Sequence, residues 1–230
     1  MNRDAQVDLV RAMRKRLLAL PVTETGVGKG RVADLGPIVL GLRASTPQTL
    51  NAYTSLVYSK GALVLRMLHF LLTQPGTGED TAFYDMLKDF TARYAGRAAT
   101  TEDFFAVASE HFRRAPLGVK YHMQNLDWFY QQWVLQAVLP SYRMEYTLEP
   151  QGSGVVLKAV LYQDGAPGDW FMPLPLLIRL GKNQEMRGSV QVKGEKSSFS
   201  IPLPARPSAV LLDPDFYILS EKTEAVRSGE

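Results

Sequence analysis

Hydrophobic residues recur at helical spacing through the first 140 residues of the chain. Residues 7–18 form one such run, which a proline closes. Residues 62–72 form a second run that is apolar on most of its circumference and is interrupted by Arg66 and His69, with Thr73 on the same stripe. The pattern predicts a helical half built around a central helix that its neighbours cover on nearly every side.

Shorter periodic runs indicate the remaining helices. Residues 83–94 carry an amphipathic face, and residues 126–137 are periodic and aromatic until a proline ends them. Between these two runs, Thr100 and Asp103 form a variant of the capping box, which predicts that another helix starts there. Thr46, which is followed by a proline, predicts a further helix start upstream of the central helix.

After residue 140 the hydrophobic period changes from about 3.6 to 2, which predicts strands. Seven short strand-like runs are separated by turn residues, and they cover residues 143–148, 155–163, 170–180, 188–193, 197–201, 209–212 and 216–219. This spacing predicts a small antiparallel β-sandwich with no parallel pair and no helix between residues 155 and 212. We therefore expect an α+β chain with a helical part at 1–140, a β-sandwich at 141–220 and a frayed tail at 221–230.

Composition and charge exclude several classes of protein. The net charge is only +3, and no basic patch is interleaved with aromatic residues, so nucleic-acid binding is not expected. The absence of cysteine excludes disulfides and thiolate metal sites. No signal-like apolar segment and no window of membrane-span length is found. The expectation is a soluble chain without a targeting signal, cytoplasmic as written, with an exported parent left open.

Few residues offer candidate chemistry. The glycine-rich residues 26–30 lack the spacing of a phosphate-binding loop, which favours a connecting segment. No two of the three histidines, His69, His111 and His122, are four residues apart, so a zinc site with three convergent ligands is not expected. The aromatic residues 128–133 have helical spacing, which favours packing over a ligand-stacking surface.

The segment Tyr58-Ser59-Lys60-Gly61, at the start of the central helix, resembles the tyrosine-bearing segment of the M1 family of zinc aminopeptidases. Later motifs are similar in kind and order to that family: a threonine-rich helix start, an aromatic helix closed by a proline, and a sandwich with a Gln and an Asp-Pro. In this chain they are residues 100–104 and 126–133, Pro140, Gln163 and Asp213-Pro214. The resemblance runs from about residue 47 to 220.

The resemblance implies one catalytic residue in this chain, Tyr58, whose phenol would stabilise an oxyanion in the complete enzyme. It implies a zinc ion in the parent family but no cofactor or metal ligand here, because the His-Glu-x-x-His segment and a downstream Glu would lie upstream of the chain. Many members have Glu after the tyrosine, where this chain has Ser59, so the role of that carboxylate does not carry over. The nearby Tyr53 lies outside the motif, so it serves as a control whose Phe variant is expected to lose much less activity than that of Tyr58.

Two functions therefore stay open. The chain is either the C-terminal part or a subunit of an M1-type metallopeptidase, inactive alone, or a non-catalytic binding module derived from one. In the first case its partner is the upstream zinc-bearing segment, or a separate chain that carries it, and peptide substrates bind only to the complete enzyme. In either case the surface that the absent part would cover predicts self-association.

Overall fold

A computed structural model describes residues 3–19, 31–49, 51–181 and 184–228 of the chain. The chain divides into two compact units, Met1–Val138 and Leu139–Glu230. In the described parts, all helices lie in the first unit and all strands lie in the second. The α+β fold class expected from the change of hydrophobic period is confirmed.

The first unit contains six α-helices and three helical segments of other types among its described residues. The α-helices are α1 Arg3–Ala19, α2 Gly61–Leu72, α3 Thr81–Arg93, α4 Thr101–Phe112, α5 Pro116–Lys120 and α6 Asp127–Trp133. Two 3₁₀ segments span Val32–Asp34 and Ile38–Ala44, and a π-helix spans Thr54–Lys60. The central helix and the amphipathic helix lie where the sequence predicts them, while the aromatic helix is present but ends at Trp133 and does not continue to Pro140.

The predicted helix start at Thr46 is wrong. The Thr46 and Thr49 hydroxyls lie 2.7 Å apart, and the Thr49 hydroxyl donates to the carbonyl of Ala44, also at 2.7 Å. These local side-chain bonds hold a turn at residues 47–48 instead of a helix. The helix start at Thr100 is confirmed, because its hydroxyl accepts from the Asp103 amide while the Asp103 carboxylate accepts from the Thr100 amide.

Helix α2 is the core of the helical unit because its apolar circumference is covered by three helices, α3, α4 and α5. Its buried residues are Leu63, Val64, Met67, Leu68, Phe70, Leu71 and Leu72. The expectation that no segment reaches membrane-span length is wrong. By length and composition alone, the helical segment Thr54–Leu72 is long and apolar enough to cross a membrane. Over half of that segment, 56%, is buried within the protein, as in the core helix of a globular fold.

The second unit contains two sheets. Their strands are β1 Ser141–Gln151, β2 Gly154–Asp164, β3 Phe171–Gly181, β4 Gln184–Lys193, β5 Lys196–Leu203, β6 Ala209–Leu212 and β7 Thr223–Arg227. One sheet has the order β5-β2-β1-β7 and the other β4-β3-β6. Strand β3 is buried at eight consecutive positions, which identifies it as the centre of the unit.

One strand pair departs from the expected antiparallel pattern. Strands β1 and β7 are parallel, with Tyr142 opposite Thr223 and Tyr146 opposite Arg227. Parallel neighbours need a long crossover connection, and here the chain passes through the three-stranded sheet before it returns to the free edge of β1. The remaining pairs are antiparallel among the described strands.

The last strand was predicted at residues 216–219, and this is wrong. The Asp213 carboxylate accepts hydrogen bonds from the Tyr217 and Ile218 amides at 2.8 and 2.9 Å, so these amides are turned away from any sheet. Asp213 and Phe216 both have positive φ, 47° and 54°, which closes the turn. The tail predicted to be frayed instead provides β7.

A second buried polar residue joins neighbouring loops of the β-unit. Gln163 is 4% exposed, and its amide donates to the carbonyls of Trp170 and Gly194 at 3.1 and 2.8 Å. Buried carbonyls need such partners, and here they come from two different turns. Gln163 and Asp213, on which part of the family resemblance rests, therefore satisfy backbone groups in this fold.

Candidate functional site around Tyr58

Tyr58 lies on a π-helix that leads directly into the central helix. The π-helix spans Thr54–Lys60, and at its end the Gly61 amide donates to the carbonyls of Leu56 and Tyr58. π-Helices are rare, short and frequent at functional sites. The Tyr58 side chain is 62% exposed, which is unusual for a large aromatic residue, so its phenol is accessible to a ligand.

Tyr53 is the ring neighbour of Tyr58. The two rings meet edge to face, with their centroids 5.7 Å apart and their planes at 87°. Interaction with the Tyr58 side chain raises the pKa of Tyr53, and burial adds a smaller contribution in the same direction. Because the two rings are in contact, a change at Tyr53 can also disturb Tyr58, and a tyrosine outside this contact is the better control.

Lys60 points away from Tyr58 into the interior of the helical unit. Its side chain is fully buried, and its Nζ donates to the Gln136 carbonyl at 3.4 Å. Burial lowers the pKa of Lys60 to about 8, and the nearby Asp34 carboxylate partly opposes this shift. Asp34 itself accepts two 2.8 Å bonds from Arg31, which hold the pKa of the carboxyl below its ordinary value. Lys60 thus anchors the π-helix but is not accessible to a ligand.

An exposed stripe continues from Tyr58 along the central helix. Ala62 and Leu65 follow it at exposed positions, with Leu65 44% exposed, and Arg66 and His69 are half-buried. The stripe forms the floor of a groove of about 270 Å³ between α1, α2 and α3. Its walls are Val10, Met13, Phe83 and Tyr84. The groove is mostly apolar, with one arginine and one histidine at its edge.

Two of the three histidines, His69 and His111, each lie beside an aspartate. His69 Nε2 lies 2.9 Å from Asp80 Oδ2, and the ring packs against Phe83 with centroids 4.7 Å apart. His111 Nε2 lies 3.0 Å from Asp89 Oδ2. Across the described residues no group of three or more His, Asp or Glu side chains could hold a metal ion. These residues therefore do not fit a zinc ion, and none is assigned a cofactor.

Two other candidates from the sequence give no site. The aromatic helix α6 packs inward, with Phe129 and Trp133 fully buried, so these rings form part of the core. Tyr130 donates to Glu102 at 2.7 Å, and this bond raises the pKa of Tyr130 to about 12. The glycine-rich residues 26–30 lie outside the described residues.

Sequence reasoning missed the contact between Tyr53 and Tyr58 and the burial of Lys60. Lys60 had a detectable signal, because it follows Leu56 by four residues and precedes Leu63 and Val64 by three and four, on the buried stripe of the helix. Tyr53 had none, since residues five apart do not face each other on an α-helix. Only a π-helix brings the two rings together.

The chain is similar to known proteins in its fold. No family model matches the chain, and no curated protein matches it. Among 71 matching chains of solved structures is Legionella pneumophila aminopeptidase A, which was crystallised in complex with aspartic acid. The TM-score is 0.52 at 17% sequence identity, over 78% of this chain. This chain spans only 18% of that protein, so it shares the fold of one part of an aminopeptidase.

Proposed function

We propose that this chain is the C-terminal part, or a subunit, of an M1-type zinc metallopeptidase with aminopeptidase-like activity. It is active only with an upstream zinc-bearing segment or with a separate chain that carries one, and peptides bind only to the complete enzyme. The observation that carries the proposal is the exposed Tyr58 phenol at the start of the central helix, in a fold similar to part of an aminopeptidase.

Tyr58 supplies a hydrogen-bond donor in this proposal. When an amide carbonyl is attacked, its oxygen acquires negative charge, and a phenol O–H held in place stabilises that oxyanion. The π-helix and the buried Lys60 hold the backbone of Tyr58, while its ring stays exposed. A donor of this kind needs no ionisation of its own, since it acts in the neutral form.

The zinc of the proposed enzyme does not come from the residues described here. His69 lies beside Asp80 and His111 beside Asp89, and among the described residues no group of three or more His, Asp or Glu side chains could hold a metal ion. We therefore assign no step through zinc to this chain. The proposal assigns the metal to the upstream segment or the partner chain, and the donor Tyr58 to this one.

The DNA that flanks the coding sequence tests where the partner is encoded. A reading frame that continues upstream, in register, and encodes His-Glu-x-x-His supports the role of a C-terminal part. A start codon with its own ribosome-binding site at Met1 supports a separate subunit or module. If neither the upstream frame nor a neighbouring gene encodes such a motif, the metallopeptidase proposal fails.

Tyr58→Phe tests the chemistry once the zinc-bearing segment is supplied by fusion or as a second chain. The variant keeps the ring and removes the donor, so turnover should fall about 10²–10³-fold with little change in substrate binding. Tyr84→Phe is the control, because Tyr84 is similarly exposed, at 51%, but lies on α3 away from the π-helix. Equal turnover of Tyr58→Phe and the unmodified enzyme would reject the role of Tyr58.

A second candidate is a non-catalytic binding module that uses the groove along the central helix. The observation that favours it is the exposure of Leu65 at 44% beside Tyr84 at 51%, at a groove that is mostly apolar. Such surfaces on globular proteins commonly mark interaction sites. The flanking-DNA test separates the two candidates, because a module does not require a partner that carries a zinc-binding motif.

A further inference from the structure

Tyr142 and Gln163 lie opposite each other in the four-stranded sheet, in the antiparallel register of β1 with β2. The Tyr142 amide donates to the Lys222 carbonyl and the Gln163 amide to the Glu195 carbonyl, so neither amide points toward the other strand of the pair. In an antiparallel ladder this is a non-hydrogen-bonded pair, whose side chains approach each other more closely than those of a hydrogen-bonded pair. The phenol and the side-chain amide are therefore neighbours in space.

Both side chains are in the interior of the β-unit. Tyr142 is fully buried, and Gln163 is 4% exposed. Burial raises the pKa of the Tyr142 hydroxyl, the Trp170 side chain opposes this shift, and the charge of Asp213 adds to it. The phenol therefore keeps its proton, and a buried O–H group needs an acceptor for that proton.

The orientation of the Gln163 side chain is fixed by its two acceptors. Its Nε2 donates to the carbonyls of Trp170 and Gly194 at 3.1 and 2.8 Å. Only the amide nitrogen has two protons for two carbonyls, so the assignment of nitrogen and oxygen is unambiguous and Oε1 points elsewhere. Oε1 is buried and accepts no hydrogen bond from the described residues, and the Tyr142 hydroxyl has no partner among them either. The pair thus brings an unpaired donor and an unpaired acceptor into the same interior.

We propose that one internal water molecule is bound between these two side chains: it accepts a hydrogen bond from the Tyr142 hydroxyl and donates one to Gln163 Oε1. Internal waters typically make about three hydrogen bonds to buried polar groups that otherwise lack a partner. One water can both accept and donate, so a single molecule satisfies the phenol and the amide oxygen at once. The surrounding apolar core gives neither group a substitute for the solvent that it lost on folding.

The alternative is a direct hydrogen bond between the two side chains. To make it, the Gln163 amide would have to move toward the phenol, away from the Trp170 and Gly194 carbonyls. Loss of the first of these bonds would leave the buried Trp170 carbonyl without its donor, which is costly in the interior. A bridging water keeps both bonds and still pairs the phenol.

A crystal structure of the unmodified chain tests the proposal directly. The expected result is one ordered water whose oxygen lies about 2.7–3.0 Å from both the Tyr142 hydroxyl oxygen and Gln163 Oε1. A direct bond between the two side chains, or well-defined density for both of them with no water between, would overturn the proposal. This test does not depend on the folding of any variant.

Tyr142→Phe tests the same water in solution, because it removes the donor and keeps the ring. In NMR spectra of the unmodified chain, the side-chain amide protons of Gln163 should show cross-relaxation with water, and this signal should be lost in Tyr142→Phe. Tyr162→Phe is the matched control and should keep the signal, since Tyr162 is the neighbour of Gln163 on β2 and its ring packs against Arg143. An unchanged Gln163 signal in Tyr142→Phe would reject the bridge.

The stability of Tyr142→Phe distinguishes a bridged hydroxyl from an unpaired one by the sign of the change. If a water pairs the hydroxyl, urea denaturation should show an equilibrium constant for unfolding that is about 5–30-fold larger in the variant. If the hydroxyl is unpaired, its removal should leave that constant unchanged or lower it, because a buried polar group without a hydrogen bond destabilises the fold. The second result would overturn the proposal.

Discussion

Tyr58 and Lys60 lie two residues apart on the same π-helix and face opposite ways, one 62% exposed and the other fully buried. The lysine is therefore the internal anchor of the segment that presents the phenol. Because its ammonium group has lost most of its hydration and has one 3.4 Å hydrogen bond to Gln136, the charged form is disfavoured. This coupling of burial and charge makes the stability of the helical unit depend on pH.

The free energy of unfolding should rise between pH 8 and 10. The pKa of Lys60 falls from 10.5 to about 8 on folding, so in this window the unfolded chain binds more protons than the folded one. The stabilisation gained by deprotonating Lys60 is complete above the pKa that this residue has in the unfolded chain. It is lost as the pH falls through the pKa of Lys60 in the folded chain. The full span amounts to about 3 kcal/mol. Urea denaturation at a series of pH values measures it.

Lys60→Met should remove most of that rise, because it keeps the length of the side chain without a titrating group. At pH 7 the variant should be at least as stable as the unmodified protein, since a buried charge is replaced by an apolar group. Lys88→Met is the matched control, because the Lys88 side chain is 77% exposed. A Lys60→Met profile that still rises like that of the unmodified protein would contradict the assignment.

Gly61→Ala should be tolerated or stabilise the fold by about 0.5–1 kcal/mol. Gly61 has helical φ and ψ of −57° and −43°, and an added Cβ would lie 4.0 Å from its nearest neighbour, the Leu56 carbonyl oxygen. Gly118→Ala is the contrasting variant, because there a Cβ would lie 2.0 Å from the Phe112 carbonyl oxygen. In thermal denaturation, Gly61→Ala should leave the melting temperature unchanged or raise it, and Gly118→Ala should lower it. Equal effects of the two substitutions would contradict the steric argument.

Asp213→Ala should destabilise the β-unit by about 2–4 kcal/mol. The substitution leaves the Tyr217 and Ile218 amides without their acceptor and places alanine at a positive φ of 47°. Asp164→Ala, at an exposed position, should change stability by less than about 0.5 kcal/mol. Denaturant titration followed by tryptophan fluorescence measures both, and a neutral Asp213→Ala would show that the turn does not need the carboxylate.

The purified chain alone should neither retain zinc nor hydrolyse aminopeptidase substrates. Its described residues contain no cluster of three metal-binding side chains, and the sequence contains no cysteine. Elemental analysis after an EDTA wash, zinc addition and desalting tests whether the chain retains zinc. Turnover of aminoacyl chromogenic substrates tests whether it hydrolyses them. One tightly bound zinc per chain, or turnover above the blank, would be the contrary result.

The chain should associate with itself at high concentration through the stripe on the central helix. Leu65 is 44% exposed at an apolar groove, so Leu65→Glu should shift size-exclusion elution toward the monomer. Val119→Glu is the control, since Val119 is 59% exposed on α5, outside the residues that line this groove. Elution of the unmodified chain as a monomer at every concentration would contradict the predicted self-association.

Hydrophobic periodicity by itself determined the α+β class, the central helix and six of the seven strands. These features are local, since the period of 3.6 or 2 follows from which face of each element is buried. The capping box at Thr100 and Asp103 was also visible, because its hydrogen bonds join residues three apart. The buried stripe that contains Lys60 could have been found in the same way.

Only the tertiary structure decided the features that the hydrophobic period of the sequence does not encode. The parallel pairing of β7 with β1 was set by the path of the chain through the second sheet, which no local period encodes. The turn at Asp213 replaced a strand because one buried carboxylate binds two amides. The Tyr53–Tyr58 pair required a π-helix, whose geometry leaves no mark in an α-helical pattern. The sequence therefore located Tyr58, and the helix type selected its partner.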